Sequence, residues 1–116
     1  MEREALASLL TDGTEAATAA RDAVLRGGAY VVWDGSDGST SAESLARVYE
    51  RRLRHTRRIG QETLDLERAV RRLRGHAAPA RLGRVDATDR SWAYMLFLDE
   101  DGQSLIACTG VKQPKR

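Results

Sequence analysis

The sequence predicts an α+β domain: a small, mostly antiparallel sheet of about four strands packed against amino-terminal helices and a long central amphipathic helix or helix pair. Three observations carry this expectation. Residues 29–33, 91–98 and 103–109 are apolar runs of strand length, and the last two flank the turn sequence Asp99-Glu100-Asp101-Gly102. An alanine- and leucine-rich stretch precedes the first run. A proline-free, arginine-rich stretch separates that run from the other two.

Taken in order, residues 2–26 read as helical, with an interruption at Thr11-Asp12-Gly13. Leu6, Leu9 and Leu10 give the first piece an apolar stripe. Ala16, Ala17, Ala20, Val24 and Leu25 give the second a face of small side chains that permits close packing. Thr14 is positioned to cap the second piece, and Gly27-Gly28 supplies its exit, where glycine tolerates the required dihedrals. Residues 29–33 then form a short strand, and residues 34–40, Asp-Gly-Ser-Asp-Gly-Ser-Thr, a turning loop. Thr40 and Glu43 have capping-box spacing, so a helix is expected from Ser41.

That helix extends to Arg74 on sequence grounds. Leu45, Val48, Tyr49 and Leu53 form one stripe; Ile59, Thr63, Leu66, Val70 and Leu73 form another, and Gly60 marks a bend or break where the registers fail to join. Unbroken, residues 41–74 span about 50 Å, which favours helix pairing between chains. Gly75 and Pro79 bracket the exit, and residues 81–86 form a short strand. In the final hairpin, Trp92, Tyr94, Leu96 and Leu98 line one face and Ala93, Met95 and Phe97 the other. Both faces are apolar, so both need cover. Residues 1–111 are read as one domain and residues 112–116 as a short basic tail.

The charge is unevenly distributed. Fixed charges give −5 over residues 1–46, +7 over 47–81 and 0 over 82–116, which together make the net +2. Such a division steers an anionic partner or mates opposite faces of two copies. Arg47, Arg51, Arg54 and Arg58 recur at three- or four-residue spacing, and Arg68, Arg71 and Arg72 form a second group. Guanidinium groups on one helical face can contact successive phosphates. No base-reading constellation accompanies them, so recognition of this kind is expected to be directed at the backbone.

The leading expectation is a non-enzymatic, homodimeric interaction or regulatory protein that uses its amphipathic helix and sheet for protein binding. Leu45, Tyr49, Leu53, Ile59, Leu66, Val70, Leu73, Trp92 and Tyr94 are assigned to helix packing or the protomer interface. The alternative is a DNA- or RNA-binding module that uses the arginine groups above; an acidic protein is a further candidate partner. An enzyme with residues 34–40 as its anion site ranks third, because no complete catalytic motif is present.

Other chemistry is weakly signalled. His55 and His76 lack metal-ligand spacing, no cofactor or specific small-molecule substrate is implied, and Asp99, Glu100 and Asp101 read as a solvent turn. The lone Cys108 lies in an apolar run and reads as an ordinary buried thiol. No run approaches the roughly 20 apolar residues of a membrane span, and the first residues lack a secretory pattern. A cytoplasmic location is expected.

Overall fold

Alternating apolar residues in the carboxyl-terminal half and two pairs of amphipathic helices assemble into three layers. The computed structural model describes residues 1–33, 39–55, 61–76 and 78–113. Its elements are helices α1 (Arg3–Leu9) and α2 (Glu15–Leu25), strands β1 (Tyr30–Val32) and β2 (Ser39–Ser41), helices α3 (Ala42–Arg54) and α4 (Gln61–Arg74), and strands β3 (Pro79–Asp86), β4 (Trp92–Leu98) and β5 (Leu105–Lys112). The fold is α+β, with an antiparallel sheet between helices, as the sequence predicts.

The sheet order is β1-β3-β4-β5, and β2 joins β3 further along the edge that β1 occupies. β1 and β2 thus behave as one interrupted strand. Val32 pairs with Gly83, the Trp33 amide donates to the Leu82 carbonyl, and Ser39 pairs with Arg81. The β3 partners of Val32 and Ser39, Gly83 and Arg81, are separated only by Leu82. The predicted loop at residues 34–38 lies outside the described residues, but Ser39 and Thr40, predicted to belong to it, are in β2. Main-chain pairing with Ala80 and Arg81 recruits them despite their weak strand character.

This pairing also moves the helix cap. Thr40 is held opposite Ala80, so the N-cap of α3 is Ser41, whose hydroxyl accepts from the Ser44 amide at 3.3 Å. Thr14 caps α2 as expected, accepting from the Ala17 amide at 3.2 Å. Where α2 ends, Arg3 donates to the carbonyls of Val24 at 2.9 Å and Gly28 at 2.7 Å. Gly28 is required there for space: a Cβ would sit 2.2 Å from the Asp86 carbonyl oxygen.

Of the two expected arrangements, one long helix or a helix pair, the chain forms the pair, as a helical hairpin. Arg74, at the end of α4, pairs with Glu50, and Ala69, Val70 and Leu73 share a core with Leu45 and Ala46. The chain reverses within itself, which removes the length argument for pairing helices between chains. Ile59 and Gly60 lie outside the described residues. Val48, predicted in the buried stripe of α3, is 60% exposed; Ala42 and Ala46 take the buried face with Leu45. Leu25 likewise points outward on α2.

Both faces of the hairpin β4–β5 are covered by the chain's own helices. Tyr94, Leu96, Val85 and Cys108 pack against Leu6, Leu10, Ala17, Ala20 and Val24 of the first helical pair. Phe97, Ala107 and Ala80 pack against the α3–α4 hairpin on the other side. Tyr49 meets Phe97 edge-on, with ring centroids 5.1 Å apart. β5 begins at Leu105, two residues after its predicted start, because the amides of Gln103 and Ser104 are taken by the Asp99 carboxylate. It continues to Lys112.

Candidate functional site

On α3, Arg47, Arg51 and Arg54 are all exposed, on the side away from Leu45 and Ala46. On α4, Arg68 and Arg71 are exposed opposite Leu66, Ala69 and Leu73. Because α4 returns along α3, these five arginines share the outer surface of one hairpin. Arg58 lies outside the described residues.

The arginines differ in what already holds them. Arg47 pairs with Glu43 at 3.1 Å and Arg54 with Glu50 at 3.5 Å, each one helical turn away. Such exposed pairs contribute about 0–1 kcal/mol and yield readily to a competing anion. Among the described residues, no ion pair or hydrogen bond engages Arg51, Arg68 or Arg71. Arg72 has a different job. It donates to the Ile106 carbonyl at 3.3 Å and lies 3.7 Å from Asp12, whose carboxylate also accepts from the Thr14 amide and hydroxyl. Ile106 falls at the irregularity in the β4–β5 ladder, so Arg72 ties the sheet edge, the α1–α2 turn and α4 together.

The apolar residues assigned to an interface are largely used inside the chain. Leu45, Leu66, Val70 and Leu73 are buried in the core under the hairpin, with Tyr49 against them and Leu53 half-buried. Tyr94 is buried under the first helical pair, and Trp92 stacks on it at 6.3 Å. Gly110 opens the space for both rings; a Cβ there would lie 3.3 Å from Tyr94 and 3.4 Å from Trp92. Ile59 is outside the described residues.

A cleft that the sequence reading missed lies at one end of the hairpin. Ser41, Ala42, Glu43, Arg47, Arg74, His76, Ala78 and Pro79 enclose about 610 Å³. Ser41 pairs with Pro79 in the β2–β3 ladder, which brings the start of α3 beside the exit of α4. Two arginines and a histidine thereby converge from separate segments. His76 Nε2 is buried and has no hydrogen-bond partner among the described residues. Sequence spacing could not reveal this, because the convergence depends on the chain reversal and on the β2 pairing.

The remaining candidates have structural roles. His55 is exposed at the end of α3. Burial pushes the Asp99 carboxyl upward, but the Gln103 and Ser104 amides and the Ser104 hydroxyl outweigh it and hold the group below the usual carboxylate range. That carboxylate organises a turn. Cys108 is buried, and desolvation raises its thiol far above the ordinary value, so it is a packing residue rather than a nucleophile. Among the described residues, no three His, Cys, Asp or Glu side chains gather into a metal-binding group, and no helix is long and apolar enough to cross a membrane.

Fold and surface together describe an α+β domain with a basic helical hairpin on one side of its sheet. Protein-family models, curated proteins and solved structures give no match to the chain.

Proposed function

We propose that the chain is a non-enzymatic binding module whose α3–α4 hairpin contacts the phosphate backbone of DNA or RNA. The observation that carries this reading is the set of three exposed arginines, Arg51, Arg68 and Arg71, without carboxylate partners among the described residues. Arg47 and Arg54 flank them and are held only by exposed pairs. Residues 42–74 carry ten arginines against five acids, whereas residues 1–28 carry three against five. The two helical layers therefore differ in charge, and the sheet separates them.

The same polarity bears on the homodimer. Leu45, Tyr49, Leu66, Val70 and Leu73 of its predicted apolar stripes are used inside the chain, which leaves less apolar surface for a dimer. Twofold pairing through the hairpin would set arginine against arginine. Stacking of basic on acidic faces would be head-to-tail and would build a ring or a filament, not a twofold dimer. Backbone contact uses the charge without either difficulty.

Fluorescence anisotropy with labelled duplex and single-stranded oligonucleotides tests the proposal. Binding is expected at low ionic strength, with little sequence preference and a steep loss on adding salt. Neutralising Arg51, Arg68 and Arg71 to glutamine should weaken it and reduce the salt slope by roughly one per phosphate contact removed. Absence of binding at low salt, or an unchanged slope in the triple variant, rejects this function.

A further inference from the structure

We propose that the cleft between the start of α3 and the exit of α4 binds a phosphate monoester. The phosphoryl group would lie among Arg47, Arg74, His76 and Ser41. This inference does not require the hairpin surface to bind a polynucleotide: the cleft is a concavity at one end of the hairpin that shares Arg47 with the outer arginine face.

The argument begins with the donors. Arg47 and Arg74 present guanidinium groups from two helices, and a phosphate accepts such forked donors well. The Ser41 oxygen accepts from the Ser44 amide, which leaves its hydroxyl hydrogen available to donate. His76 lines the same cleft with its Nε2 buried, so its ring serves as wall, not as a donor.

Each of the two arginines already holds a carboxylate. Glu43 lies in the wall and holds Arg47, but both side chains are mostly exposed, so the carboxylate can swing aside into water. Glu50 pairs with both Arg74 and Arg54. Each cleft arginine thus starts in an ion pair, and a phosphoryl group would compete with Glu43 and Glu50 for the two guanidinium groups.

Size selects the ligand class. A volume of about 610 Å³ is larger than a bare phosphate needs and falls within the range of small-molecule sites. Ala42, Ala78 and Pro79 provide apolar wall for the organic part of an ester. Two sources share this chemistry: a free mononucleotide or sugar phosphate, and the phosphorylated end of a strand lying on the hairpin. Arg47 belongs to both the cleft and the outer surface, so the two regions are continuous.

The full chain should be titrated by calorimetry with a nucleoside 5′-monophosphate and, separately, with the unphosphorylated nucleoside. Saturable binding of the monophosphate alone is expected. Arg47→Gln should weaken it by about tenfold, the loss typical of one hydrogen bond to a charged group. Ala78→Asp, which puts a carboxylate into the cleft at an exposed position, should abolish it. Arg51→Gln, outside the cleft, should leave it unchanged.

No saturation with the monophosphate overturns the proposal, as does equal binding of the nucleoside or an Arg51→Gln effect as large as that of Arg47→Gln. A second arm compares 5′-phosphorylated with 5′-hydroxyl oligonucleotides. Preference for the phosphorylated end, lost in Ala78→Asp, identifies a strand terminus as the source. Monophosphate binding without that preference identifies a free ester. Binding of the 5′-hydroxyl strand reports on the hairpin surface alone, so failure of one proposal is distinguishable from failure of the other.

Discussion

The two helical layers solve the same packing problem with different materials. α1 and α2 press a largely alanine face, with Leu6, Leu10 and Val24, onto Tyr94, Leu96 and Val85. α3 and α4 bury leucine, valine and alanine against Phe97 and Ala107 and turn long arginines outward. Ala17 and Ala20 of the first pair are fully buried, so larger side chains there would have to displace their neighbours. The second pair combines a bulky aromatic anchor with a charged exterior. The contrast separates a layer constrained by burial from one that also presents chemistry to solvent.

The largest expected effect comes from breaking the second core. Phe97→Ala removes a fully buried ring and its edge contact with Tyr49, and should cost about 3–5 kcal/mol. In the first layer the damaging direction is reversed: Ala20→Leu inserts volume at a fully buried position and should cost about 1–3 kcal/mol. Denaturant midpoints of both variants measure this, and a neutral Ala20→Leu would show that the alanine layer is looser than described.

Arg72→Ala cuts the tie between the layers. It removes the bond to Ile106 and the charge beside Asp12, and a loss of about 1–2 kcal/mol is expected. Unchanged stability would return Arg72 to the set of surface arginines. Arg51→Gln, Arg68→Gln and Arg71→Gln should each alter stability by no more than about 0.5 kcal/mol, since they touch no described partner. A larger loss in thermal or chemical unfolding would mean that these groups serve the fold rather than a ligand.

The smallest effect depends on pH. The folded Asp99 carboxyl lies below its ordinary value, so its ionised form adds stability above the unfolded value, and that contribution fades as pH falls through the folded value. Asp99→Ala should therefore be less stable than the parent at neutral pH and approach it in acid. Parallel stability curves through that range would contradict the turn's electrostatic role.

Much of the architecture was legible because local chemistry and tertiary context agree. The carboxyl-terminal hairpin combines alternating residues with an Asp-to-Gly turn, and Thr14 caps the helix it precedes. Both apolar faces of β4 announced a need for cover, and each received a helical pair. β2 was illegible because Ser39 and Thr40 owe their conformation to β3, not to their own preference. The exposure of Val48 eluded the periodicity because it sits beside true core positions. Arginine spacing anticipated a charged face but could not separate Arg72, which is tied to the sheet edge, from Arg71, one residue away and exposed. The cleft depended on contacts between distant segments, which no local pattern encodes.

The interrupted rim strand offers a place to splice in foreign sequence. β3 grips the chain on both sides of residues 34–38, so added length there need not disturb any ladder pair. Each doubling of such a connection costs only about 0.6 kcal/mol in closure entropy. An affinity tag or fluorophore-bearing peptide grafted at that point would join the chain between β1 and β2, leaving both termini of the polypeptide unaltered.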